Sequence, residues 1–204
     1  MSFQHDNINQ GVVTDMEETI QKIFQESIEV KQQTLKANLA VIRQAAEEVI
    51  KTFKNGRKLF FFGNGGSAAD SQHIAAEFVG RFQKERQSWP AIALTTDSSI
   101  LSALGNDYGF DIVFARQLQG LGQAGDLAVA ISTSGNSPNV IEGVKQAKKM
   151  GIKTISLTGG DGGKLASLCD ISIIVPSRKT ARIQESHICI AHTICQLVED
   201  TLTA

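Results

Sequence analysis

Lys58-Leu59-Phe60-Phe61-Phe62-Gly63-Asn64-Gly65-Gly66-Ser67 passes from an unbroken apolar run into a glycine-rich loop. Leu59 to Phe62 show no alternation, the pattern of a strand covered on both faces of a parallel sheet. Gly63, Gly65 and Gly66 permit a sharp turn and let main-chain N–H groups come close to a ligand. Ser67 suits the N-cap of a helix expected from Ala68 to about Gly80. Free N–H groups at a helix N-terminus hold anions, most often phosphate. On that helix His73 and Glu77 stand four residues apart and share one face. Ile74, Ala75, Phe78 and Val79 around them argue for burial. Such a pair suits a divalent metal or a proton transfer, and an ordinary solvated pair has the same spacing.

Working outward, residues 1–13 are polar and aperiodic and are expected to form a loose tail, with residues 14–204 as a single domain. Thr14-Asp15-Met16-Glu17 reads as a capping box ahead of Ile20, Ile23, Phe24 and Ile28, and a second helical pattern runs from about Thr34 to Phe53. The apolar faces of these two helices need a partner, either the sheet or a neighbouring subunit. Further strands are expected at 91–94, 126–131, 153–157 and 171–175. Short helices are expected at 98–104 and 110–121, with Gly105 to Gly109 as a turn between them. A helix opened by Pro138 runs to about Met150, and a long one spans 180–202. Strands alternating with helices give an α/β fold: a doubly wound, five-stranded parallel sheet preceded by N-terminal helices. In such sheets ligands collect beyond the carboxyl ends of the strands.

The bulk properties fit a globular chain of 204 residues with 42% hydrophobic and 20% charged residues. A formal net charge of −1 argues against nucleic-acid binding by bulk electrostatics, so an anion has to be held by local dipoles and hydroxyls. No apolar run approaches the ~20 residues of a membrane span. Three cysteines without metal-ligand spacing point to a reducing cytosol, and a cytoplasmic protein is expected.

Ser132-Thr133-Ser134-Gly135-Asn136-Ser137 repeats the arrangement at another strand end, placing four hydroxyls before a helix. Hydroxyls and helical N–H groups together can surround phosphate oxygens. The first loop lacks the lysine of a Walker A motif. Gly63-x-Gly65-x-x-Ala68 meets the dinucleotide fingerprint formally, with Asp97 as the ribose acid, but a hydroxyl-rich second loop has no part in that arrangement. In the last helix Gln184 and His192 are eight residues, about 12 Å, apart, too far to reach one small centre unless the first turn is loosened or two subunits share the site.

Gly63 to Asp70, Gln72-His73, Glu77, Ala103 to Asp107, Ile131 to Ser137 and Ala181 to Glu185 with His187 and His192 resemble, as an ordered set, the phosphoheptose isomerases of the sugar isomerase (SIS) superfamily. The resemblance implies a flavodoxin-like sheet and a homotetramer with active sites between subunits. It further implies conversion of sedoheptulose 7-phosphate to D-glycero-D-manno-heptose 7-phosphate, early in bacterial lipopolysaccharide or other heptose glycan synthesis. By the same resemblance Ser132, Thr133, Ser134 and Ser137 hold phosphate with Ser67 nearby, and Asn64, Gly65, Gly66, Asn106, Asp107, Glu77 and Gln184 meet substrate. His73, Glu77, Gln184 and His192 match the ligands of one zinc ion per subunit, and Glu77 and His192 match the acid/base pair. A second branch of the superfamily is not catalytic: it senses sugar phosphates or binds the replication initiator, and it lacks counterparts of Glu77 and His192. Ala181 stands where some relatives carry Asp.

Overall fold

The fold is that of a computed structural model, which describes residues 10–204, with side chains from Asp15 onward. Its strands are β1 (Leu59–Gly63), β2 (Ala91–Ala93), β3 (Leu127–Ile131), β4 (Lys153–Gly159) and β5 (Ile171–Val175), all parallel, in the spatial order β2-β1-β3-β4-β5. Every residue of β1 and β3 is buried, as their unbroken apolar runs require. Odd and even positions face opposite sides. Leu59 and Phe61 join one core with Val129, Ile155 and Ile173, while Phe60 and Phe62 join the other with Ala128 and Ala130. Each of these phenylalanines is worth about 1.5–3 kcal/mol through loss of water contact.

Helices cover both faces. On the first lie α1 (Gln10–Lys54), α2 (Gly66–Val79) and α7 (Thr180–Leu202); on the second, α4 (Val113–Leu121), α5 (Pro138–Lys149) and α6 (Gly163–Leu168). α3 (Ser98–Tyr108) follows β2, and a single 3-10 turn, Phe110–Ile112, leads into α4. The chain goes from β1 outward to β2 and then returns past β1 to β3. The sheet therefore reverses direction between β1 and β3, where Gly63 pairs with Ile131. Both glycine- and serine-rich loops leave the sheet at that crevice, the usual place for a ligand in such folds.

Several expected boundaries move. The two N-terminal helices are one helix of 45 residues, α1, and the supposed capping box lies inside it. No glycine or proline separates Ile28 from Thr34, so nothing interrupts the hydrogen-bond ladder. Of the expected tail, residues 1–9 lie outside the described residues, and from Gln10 the chain belongs to α1. Val30, Thr34, Asn38, Ile42, Ala46 and Val49 are buried against the chain's own core, whereas Met16, Ile20, Phe24, Leu35 and Leu39 remain exposed. Residues 105–108, expected as a turn, are the last turn of α3, and α6 was not anticipated. Among the described residues no helix is long and apolar enough to cross a membrane.

Candidate active site

The first loop is tighter than its sequence indicates. Gly65, with φ of 55°, is the N-cap of α2, and Ser67 lies within the first turn rather than capping it, almost wholly buried. A Cβ on Gly63 would lie 2.6 Å from the Ile131 carbonyl oxygen, so only glycine lets the ends of β1 and β3 run this close. A Cβ on Gly66 would strike the Gln184 amide at 2.2 Å. The loop is thus enclosed by β3 on one side and by α7 on the other.

The second loop is held by its own hydroxyls and by its neighbours. Ser132 and Ser137 share a hydrogen bond between hydroxyls at 3.1 Å, and the Asn136 N–H donates to Ser134 Oγ at 3.2 Å. Pro138 opens α5 as expected, and the Ser137 side chain makes no capping bond. Asn64 and Asn139 exchange two amide hydrogen bonds of 2.8 Å each, tying one loop to the other. Asn139 is buried and also accepts from the Val140 N–H at 2.9 Å. Sequence reasoning missed Asn139; the only signal was an amide immediately after Pro138.

Beside the loops, α2 and α7 bring three candidate donors together. His73 Nε2 lies 3.2 Å from Glu77 Oε1 and 2.9 Å from His192 Nε2, and one ligand atom from each residue falls within 4.8 Å of the others. Donors around a tetrahedral ion with bonds near 2.0 Å are roughly 3.3 Å apart, so two imidazole nitrogens and a carboxylate at these distances fit a divalent metal. His73 is exposed, whereas Glu77 and His192 are half-buried, so the cluster opens to solvent on one side. Gln184, two turns earlier on α7, packs its amide against Gly66. Asn106 and Asp107 lie exposed at the end of α3, where the Asn106 amide donates to Asp107 Oδ1 at 2.8 Å.

Two further titratable groups flank the site. Burial pushes the Asp70 carboxyl up, against the pull of the nearby His73 charge, and its Oδ2 has no hydrogen-bond partner. His187, given no role by sequence reasoning, is fully buried. Burial pushes its imidazole down to about 4, while its 3.0 Å hydrogen bond to the Thr158 carbonyl oxygen works in the other direction.

A doubly wound parallel sheet with a hydroxyl loop at its direction change is the architecture of SIS-domain proteins, and the SIS domain family model matches residues 23–159. A phosphoheptose isomerase of Aquifex aeolicus is 54% identical over 185 residues, covering 91% of this chain and 97% of that protein. The solved phosphoheptose isomerase of Neisseria gonorrhoeae has a TM-score of 0.87 at 47% identity, covering 91% of this chain and 99% of its own. That of Francisella tularensis has a TM-score of 0.88 at 38% identity, with 91% and 98% covered. The chain belongs to the phosphoheptose isomerase family.

Proposed function

We propose that this chain, as a single SIS domain over residues 14–204, interconverts sedoheptulose 7-phosphate and D-glycero-D-manno-heptose 7-phosphate through an enediol, in the cytoplasm of a bacterium making heptose glycans such as lipopolysaccharide. The observation that carries the reading is the meeting of His73, Glu77 and His192 beside a hydroxyl loop at the crevice between β1 and β3. A sugar-phosphate sensor or replication-initiator-binding domain has no need of that cluster.

Ser132, Thr133, Ser134 and Ser137, with the N–H groups opening α5, take the phosphate, and Ser67 with the N–H groups of Gly65 and Gly66 adds to the cradle. Anchoring the far end of the sugar converts binding into alignment of C1 and C2 with the side chains beyond. The main-chain groups of Asn64 and the side chains of Asn106, Asp107 and Gln184 complete the substrate contacts. Glu77 takes the proton from C1 and returns it at C2; His192 passes a proton between the two oxygens. His73 holds Glu77 in place through their contact. His73, Glu77 and His192 would also hold a zinc ion, which supplies Lewis-acid polarisation of the sugar carbonyl when bound. Gln184 is the fourth ligand of that set. The exposed apolar residues of α1 support assembly of subunits into a homotetramer, with sites completed across interfaces.

Incubating the purified protein with sedoheptulose 7-phosphate and following the aldose product tests the reading. Turnover lost on chelation and restored by zinc is the expected result. Absence of turnover with and without added metal removes the enzyme reading, whereas full turnover in chelator removes the metal alone.

A further inference from the structure

Seven residues beyond His192 on α7, Glu199 is fully buried, and its carboxylate has four donors. The N–H groups of Phe82, Gln83 and Lys84 approach it at 3.1, 2.7 and 2.8 Å, and Arg86 Nε at 3.0 Å. Arg86 is itself almost wholly buried, and its other two guanidinium nitrogens also have acceptors. Its Nη2 donates to the Glu77 carbonyl oxygen at 2.8 Å, and its Nη1 to those of Phe78, Gly80 and Gln87 at 3.0, 3.2 and 3.0 Å. The guanidinium stacks on Trp89 at 3.7 Å, and Trp89 stacks on Phe53 of α1. Burying a charge is costly unless it is paired and hydrogen-bonded, and here the charges face each other and every guanidinium nitrogen and both carboxylate oxygens have a partner.

The position of this pair links it to the chemistry. The carbonyls it takes up near the end of α2 have no partner within the helix, and the first of them belongs to Glu77 itself. Phe82, whose N–H Glu199 holds, lays its ring 5.5 Å from the imidazole of His192. Apolar contacts between α2 and α7 tolerate sliding along the helix axes, but a charged fork with directional bonds does not. We propose that Arg86 and Glu199 are positioning residues: they lock the end of α2 against α7 and so set the spacing of His73 and Glu77 from His192.

This inference rests on the isomerase reading for its kinetic arm and stands apart from it in its metal arm. The test compares wild type, Glu199→Gln, Arg86→Lys and Arg86→Met as full-length proteins. Thermal melts confirm folding, kcat and KM are measured with sedoheptulose 7-phosphate, and zinc affinity is measured by competition with a chromophoric chelator. Supporting groups around metal ligands change affinity or activity by about 10–100-fold. Glu199→Gln and Arg86→Met should lower kcat and weaken zinc binding by that factor with KM within about threefold, and Arg86→Lys should fall between them and wild type. If Arg86→Met does not fold, the near-isosteric Glu199→Gln decides. A folded Glu199→Gln protein with wild-type kcat and zinc affinity overturns the proposal, even if its melting temperature is lower. A rise in KM alone overturns it too, since the pair would then act on anchoring. Should wild type bind zinc without turning over the sugar, the isomerase reading falls and the zinc arm still decides the pair. Should wild type do neither, both readings fall.

Discussion

Glu77 reaches His73 through its side chain and Arg86 through its carbonyl oxygen, so its carboxylate and its main chain are each held. Glu77→Gln keeps the shape and removes the base. General-base catalysis is worth about 10²–10⁴-fold, so kcat should fall by that factor while KM moves little; near-normal turnover would take Glu77 out of the mechanism. His187 gives a second expectation, on stability. Its imidazole is held neutral by burial, with a pKa of about 4 against 6.5 for the free side chain. Between those values the unfolded chain binds the extra proton, so stability is complete above pH 6.5 and falls as pH drops toward 4. About 2 kcal/mol should go between pH 7 and 5 on this account. His187→Gln should flatten that slope in urea melts at the two pH values, and an unchanged slope assigns the loss to other groups. Only the resemblance grouped His73 and Glu77 with His192, because helical spacing says which face a side chain takes and nothing about which helix lies opposite. Asn139 and Glu199 were missed for the same reason: each matters through a partner distant in sequence, Asn64 for the one and Arg86 for the other.

At the scale of elements, the second loop leans on the segment between β4 and α6. Gly135 has φ of 64°, and a Cβ there would lie 1.9 Å from the Gly162 carbonyl oxygen. The Leu165 N–H donates to the Gly135 carbonyl oxygen at 3.1 Å, and the Lys164 N–H donates to Asn136 Oδ1 at the same distance. Gly135→Ala must therefore push the two segments apart. KM for the sugar phosphate should rise at least about tenfold, equivalent to 1.4 kcal/mol of binding, with zinc affinity retained. Unchanged KM would place the phosphate elsewhere. β1 and β3 were legible because each is an unbroken apolar run, the mark of chain covered on both sides. Boundaries near glycine were not. Gly105 was read as a breaker, yet it sits inside α3, where the Phe110 ring lies 3.7 Å from its would-be Cβ. α6, six residues following glycines, is too short to show a period.

For the whole molecule the decisive feature is α1, about 68 Å long at 1.5 Å per residue. Its reading as two helices took the apolar residues up to Ile28 and those from about Thr34 to Phe53 as separate patterns. The later half turns inward to the sheet; the earlier half presents Met16, Ile20, Phe24 and Ile28 to the outside. A patch of that kind rarely stays uncovered on a lone subunit. Sedimentation should find an assembly larger than a monomer at micromolar concentration, and Phe24→Glu combined with Leu39→Glu should shift it toward monomers; a monomeric wild type would refute this. The outer turns are fastened to α7 by the Ser27 hydroxyl on Glu185 at 2.7 Å and by Arg182 on the Ile23 carbonyl oxygen at 2.6 Å. Val30 is the first buried apolar residue inward of them. In the proposed assembly, separating the subunits should also loosen the outer rod, so a protease added to a very dilute sample should nick the chain ahead of Val30 while leaving the sheet whole.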